Sequence, residues 1–186
     1  MKKENVEILD TIFLNVNEWL KFAESKNAVL ITLVGASIFA LAETSDKFGF
    51  CNQFFSRLYL INIFVFMILS FLVSLCSFLP QVKLFWLWPE KKATATPNIL
   101  FYSDLARLSP EELINTIYDT DIDKSNKEYL FKVNFAEQII NNSKIAQRKY
   151  NYFRVSVWLV LSGILTPLIG GILYIVIDPN SWYSKQ

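Results

Sequence analysis

Six side chains close together in this sequence have the types needed to hold a phosphorylated aromatic molecule: Asn142, Ser143, Lys144, Arg148, Lys149 and Tyr150. On a helix they fall within about two turns, and Asn142, Lys149 and Tyr150 lie near one stripe. Arg148 or Lys149 offers a charge-assisted hydrogen bond to a phosphate, and the Tyr150 ring offers a flat face to a base. The amide of Asn142 and the hydroxyl of Ser143 supply directional polar contacts. The same residues also fit a basic helix end that sits beside a bilayer and touches anionic lipid. On chemistry alone this second reading is favoured.

Catalytic chemistry finds little to work with. The chain has no histidine, which excludes Ser-His and Cys-His nucleophile systems and any histidine-based metal site. There is no P-loop and no dinucleotide fingerprint. Asp119, Asp121 and Asp123 alternate like the start of a calcium loop, but the glycine and the terminal glutamate that such a loop needs do not follow. Asn141-Asn142-Ser143 forms a glycosylation triplet with no meaning on a cytoplasmic face. Cys51 and Cys76 make no disulfide framework. The expectation is a protein that is not an enzyme, with no cofactor, no metal and no nucleic-acid partner.

The elements that must position the six residues are dominated by three uncharged apolar runs: Asn27–Ala42, Leu58–Val82 and Val155–Ile177. A bilayer core takes about 20 mostly apolar helical residues to cross. The second and third runs meet that length without one Asp, Glu, Lys or Arg. The first covers only about 24 Å at 1.5 Å per residue, and crosses if Lys26 and Glu43 snorkel and the bilayer thins. The fold class that follows is an all-α integral membrane protein, with three transmembrane helices and a mainly helical cytoplasmic unit. A signal peptide does not fit, because the stretch from Glu4 to Lys26 carries five acids and no small-residue cleavage site.

Basic residues orient the spans. Four precede the first, two lie between the first and second, eleven between the second and third, and one follows the third. Lysine and arginine collect on the cytoplasmic side. The N-terminus and the long second loop are therefore expected inside, and the short first loop and the C-terminal tail outside. Trp86 and Trp88 read as inner interfacial anchors, and Trp182 and Tyr183 as outer ones. The expected location is a bacterial inner membrane, crossed several times.

The resulting division is a cytoplasmic amphipathic helix over 1–26, a two-helix membrane hairpin over 27–82, a cytoplasmic sensor region over 83–154, a third span over 155–177 and an external tail over 178–186. Val6, Leu9, Ile12, Phe13, Val16, Trp19, Leu20 and Phe22 recur at helical spacing, with Glu7, Asp10, Asn17 and Glu24 on the other face. Those acids disfavour an anionic leaflet, so this helix is expected to pack on the long loop. In that loop Pro89 and Pro97 bracket a small polar linker, and at most one strand is visible, around Ile99–Tyr102. Ser109-Pro110-Glu111-Glu112 predicts a helix start, with Ser109 as cap, and that helix ends near Tyr118. After a polar turn, a long helix starts near Ser125, carries Tyr129, Val133, Ala136, Ile140, Ser143 and Tyr150 along one side, and feeds into the third span. Pro167, near Gly163, Gly170 and Gly171, is its one breaker and a candidate kink.

Asn98-Ile99-Leu100-Phe101-Tyr102, Leu108-Ser109-Pro110-Glu111-Glu112, Glu137-Gln138-Ile139, Asn142-Ser143, Ile145-Ala146 and Lys149-Tyr150 stand in this order directly ahead of a membrane span. In that order and placement the chain resembles the membrane effector family of Pycsar antiphage systems, the PycTM-type proteins, from about Lys26 to Ile177. Glu24-Ser25-Lys26-Asn27-Ala28 only partly follows the form expected there. The resemblance implies an antiphage effector that senses cyclic CMP or cyclic UMP made by a partner pyrimidine nucleotide cyclase. Such an effector then impairs the inner membrane, causing abortive infection. Asn142, Ser143, Arg148, Lys149 and Tyr150, singled out above by their own chemistry, are then the expected ligand contacts. With too few strands for a β-roll, a cyclic mononucleotide would bind between helices, across subunits of a homo-oligomer. Three helices are too few to enclose a pore alone, which also points to assembly in the lipid bilayer. Two alternatives stay open: a ligand-independent, holin-like or stress-related membrane protein, and a structural membrane subunit that binds a protein partner.

Overall fold

The computed structural model describes residues 2–47, 54–79, 97–118 and 127–177. Among these residues there is no strand. Five helices follow one another: α1 (Lys2–Lys47), α2 (Phe54–Cys76), α3 (Tyr102–Leu105), α4 (Pro110–Ile117) and α5 (Lys127–Ile177). Three of them, α1, α2 and α5, are long and apolar enough to cross a membrane, by length and composition. Trp86, Trp88, Trp182, Tyr183, Cys51, most of the Pro89–Pro97 linker, the 119–125 turn and the 178–186 tail lie outside the described residues.

The amphipathic segment and the first apolar run form one helix, α1, of 46 residues. No glycine or proline falls between Lys2 and Val34, so nothing in the backbone chemistry stops the helix at Lys26. Helix α5 is longer still, 51 residues with Pro167 inside it. It starts at Lys127, close to the expected Ser125. Helix α4 has the complete capping box that its sequence promises. Ser109 Oγ accepts from Glu112 N at 3.2 Å, Glu112 Oε2 accepts from Ser109 N at 2.7 Å, and Pro110 occupies the first turn.

Ile99–Tyr102 is not a strand. Asn98 turns the chain there: its side-chain Oδ1 accepts from Leu100 N, its carbonyl accepts from Phe101 N, and its own N–H donates to Asp104 Oδ2. An isolated extended segment would have no ladder partner among the described residues, whereas the asparagine-led turn satisfies these backbone groups locally.

The chain forms two compact units. The first comprises Met1–Lys26 and Leu79–Asn151, the second Asn27–Phe78 and Tyr152–Gln186. The core of the first joins Leu9, Ile12 and Val16 of α1, Leu105 and Leu108 around α3, Leu113 and Ile114 of α4, and Ala136, Ile139 and Ile140 of α5. The amphipathic part of α1 therefore packs on the long loop. Phe22 departs from the expected apolar face: its ring is half exposed, beneath the Lys26 ammonium at 4.5 Å.

Two contacts set the direction of α1 against α5 in this unit. Asn17 meets Asn142, and Glu24 meets Lys149, so seven residues along one helix match seven along the other. The helices run parallel, at the seven-residue repeat of a coiled-coil seam. In the second unit Asn62 meets Gly163 and Ser70 meets Ser156, so α2 runs antiparallel to α5. Val34, Ile63 and Met67 centre the apolar packing there, with Leu30, Ile38, Phe71 and Val160 around them.

Candidate functional site

The expected ligand residues lie on α5 in the first unit, and the tertiary structure gives them neighbours from α1 and α3. The Asn98 turn and α3 present Phe101 and Tyr102 toward Trp19 of α1 and Tyr150 of α5. Tyr102 and Tyr150 stack at 4.9 Å with an 18° interplanar angle. Trp19 lies 5.5 Å from Tyr102, and meets Tyr150 edge-on at 6.3 Å and Phe101 edge-on at 6.2 Å. The Lys26 ammonium sits 5.5 Å from the Tyr150 ring centre, a cation–π distance. The result is an aromatic cluster bordered by cations.

Each predicted site residue has a definite place. Lys149 Nζ is 3.2 Å from Glu24 Oε1, with the lysine side chain 13% exposed and the glutamate 47%. Asn142 Nδ2 donates to Asn17 Oδ1 at 3.0 Å. Ser143 is fully buried and its hydroxyl donates to the Ile139 carbonyl at 2.9 Å, one turn back on its own helix. Arg148 is half-buried. Tyr150 presents its ring to Tyr102. Tyr150 is thus brought into the cluster and Lys149 into the α1–α5 contact at Glu24, whereas Asn142 ties α5 to α1 and Ser143 bonds back to its own helix, about two turns away.

Beside the rings lies a polar group that residue spacing did not reveal. Gln147 Nε2 and an Arg107 guanidinium nitrogen each donate to Ser103 Oγ at 3.4 Å. Asp104 lies 3.9 Å from the other end of that guanidinium. Two donors here remain uncommitted among the described residues: the buried Tyr150 hydroxyl and the buried Nε–H of Arg107. A buried donor without an acceptor costs about 1–3 kcal/mol. Burial, and then the neighbouring Tyr102, push the Tyr150 phenol above its ordinary value, so it stays a proton donor at neutral pH. Aromatic faces, cations and two donors in want of an acceptor are what an aromatic anion would use.

Sequence reasoning did not find Trp19, Ser103, Arg107 or Gln147, nor the counter-charge Glu24. Trp19 read as one more apolar position of an amphipathic helix. Tyr102 stood in a motif that carried the resemblance, without a role. A second polar cluster in this unit is built around Lys132, which lies 3.1 Å from Glu128 with its ammonium 4.5 Å over the Tyr118 ring. Among the described residues no group of acids and cysteines is arranged to hold a metal ion.

Searches of curated proteins and of solved structures each return no match. A family model described as the Pycsar effector protein domain, PycTM, matches residues 8–176. That span takes in the aromatic cluster, the capped α4 and all three apolar helices. The chain belongs to the PycTM family of Pycsar effectors.

Proposed function

We propose that this protein is a non-enzymatic membrane effector of antiphage defence that a cyclic pyrimidine nucleotide, cyclic CMP or cyclic UMP, switches on. The carrying observation is the family match across residues 8–176. The three apolar helices supply the means of acting on a bilayer. The first unit supplies the receptor. The base lies against Trp19, Tyr102 and Tyr150, and the phosphate is taken by Lys149, Arg148 and the uncommitted donors of Arg107 and Tyr150. A negatively charged phosphate competes with Glu24 for Lys149, so ligand entry loosens the α1–α5 contact at its polar pair. Helices α1 and α5 each have residues in both units, and the signal travels along them.

The response is loss of inner-membrane integrity by a homo-oligomer, which stops the infected cell before phage are released. A pyrimidine nucleotide cyclase is the functional partner that supplies the ligand. The chain crosses with its N-terminus in the cytoplasm and its C-terminus outside. Within the second unit the antiparallel run of α2 against α5 supports alternating crossings. Expressed alone the protein is tolerated; expressed with a cyclic-pyrimidine source it depolarises the membrane, read with a potential-sensitive dye. Equal toxicity with and without the nucleotide would sink this proposal in favour of a holin-like protein.

A further inference from the structure

The second unit holds a row of buried and half-buried polar groups within apolar helices. On α2 Asn62 and Ser70 meet the backbone of Gly163 and Ser156 on α5, and Ser74 is buried one turn beyond Ser70. Asn62 to Ser74 spans about 18 Å of helix at 1.5 Å per residue, more than half of a hydrocarbon core about 30 Å thick. The outer face of α2 is the reverse: Leu58, Ile61, Val65, Ile68, Leu69 and Leu72 are all exposed and apolar. Ser70 and Ser74 are turned away from that face, and Asn62 is half-buried.

Two direct bonds close the row. Ser70 Oγ donates to the Ser156 carbonyl at 2.9 Å, and Asn62 Nδ2 donates to the Gly163 carbonyl at 3.3 Å. The second bond has a cause in the sequence. Pro167 has no N–H, so the carbonyl four residues earlier, that of Gly163, loses its helical donor. Asn62 takes the vacated acceptor. Gly163 also lets α2 come close, since a Cβ there would stand 2.8 Å from the Phe66 Cβ.

Helix-to-helix adhesion would account for the row if every group in it were paired. It is not. Ser74, 1% exposed, and Ser156, fully buried, keep hydroxyls with no hydrogen-bond partner among the described residues. In an apolar interior such groups are costly, and alanine would pack as well. Unpaired hydroxyls beside a proline-freed carbonyl are the groups that a file of water would satisfy.

We infer that the α2–α5 seam lines an ion path that further copies of the chain complete, shut in this state by the Ser70–Ser156 and Asn62–Gly163 bonds. When the helices part, water fills the row and small monovalent ions pass. No charged side chain lies in the row, so ions of either sign are admitted. The inference rests on the membrane-effector proposal above and adds to it where permeation occurs.

The test uses the full chain in liposomes, with Cys51→Ala and Cys76→Ala as background. Ser74→Cys and Ser156→Cys are expected to react with a charged, membrane-impermeant thiosulfonate once cyclic CMP or cyclic UMP is added, and the lipid-facing Leu72→Cys is not. Gly163→Ala forces a rigid Cβ–Cβ clash that parts the helices. It is expected to raise potassium efflux without nucleotide by about tenfold, the low end of what overpacking shifts an equilibrium. Gly170→Ala, where nothing lies within 4 Å of the new carbon, should leak like the parent. Nucleotide-triggered efflux with both serine-site thiols silent overturns the seam and leaves the effector proposal standing. Reactive thiols and a leaking Gly163→Ala without any nucleotide response support the seam and overturn the proposal of nucleotide control. Should Gly163→Ala fail to insert, thiol labelling in the parent background decides alone: silence there overturns the seam.

Discussion

Replacing Lys149 and replacing its partner Glu24 should have opposite effects on ligand affinity. The two side chains meet at 3.2 Å, but their surroundings differ: the lysine is 13% exposed and the glutamate 47%. An ion pair that open to water on one side contributes about 0.2–1 kcal/mol. A charge-assisted bond from Lys149 to a phosphate is worth about 1.5–3 kcal/mol. Lys149→Ala should therefore weaken cyclic nucleotide binding by about tenfold to a hundredfold. Glu24→Gln removes one charged competitor for the ammonium at nearly constant shape. It should tighten binding by up to about fivefold, the strength of the pair it removes. Calorimetric titration of the purified full chain with cyclic CMP and cyclic UMP measures both, with membrane fractionation as a check on insertion. Lys149→Ala should also abolish protection against phage while leaving the protein in the membrane. The lipid-anchor alternative predicts unchanged affinity and weakened insertion instead. Equal affinities for wild type and Lys149→Ala, or weaker binding by Glu24→Gln, would refute the placing of phosphate at Lys149.

Four further outcomes follow from other features of the chain. Tyr150→Phe deletes a buried hydroxyl that has no acceptor among the described residues, so thermal unfolding should show it as stable as the parent or more so, while nucleotide affinity falls. The Tyr150 phenol is raised above 10.0 by burial and by Tyr102, so the folded state favours its protonated form; the associated stability is present below pH 10 and is lost as pH rises through the folded-state value, which an alkaline unfolding series checks against Tyr150→Phe. Ser109→Ala breaks the capping box of α4 and should cost about 0.5–2 kcal/mol in denaturant unfolding, with Ser109→Asp retaining most of the stability. Reporter fusions should place Phe50 and Ser184 outside and Asn98 and Thr120 inside, because eleven basic residues lie between the second and third apolar runs against two between the first and second; a cytoplasmic C-terminus would break the three-span topology.

Features that depend on neighbours along the chain were legible in the amino-acid order. The apolar runs of α2 and α5 follow from hydropathy summed over consecutive residues. The start of α4 follows from Ser109, Pro110 and Glu112, which act on one another across a single turn. The apolar face of α1 was legible because Leu9, Ile12 and Val16 recur at the helical period, though periodicity could not show that α1 continues unbroken into the first apolar run. What tertiary structure alone decided is which distant residues meet. Trp19, Tyr102 and Tyr150 stand in three separate segments, and only the parallel packing of α1 on α5, with α3 laid against both, makes them one cluster. The partner of Lys149 lies on another helix, and its identity depends on a register that hydropathy does not specify. Pro167 read from the sequence as a kink; the fold turned the carbonyl it frees into an acceptor for Asn62, a hundred positions away. A local code sets helices and caps because their hydrogen bonds close within four residues, whereas a site is set by packing, which couples side chains without regard to their distance along the chain.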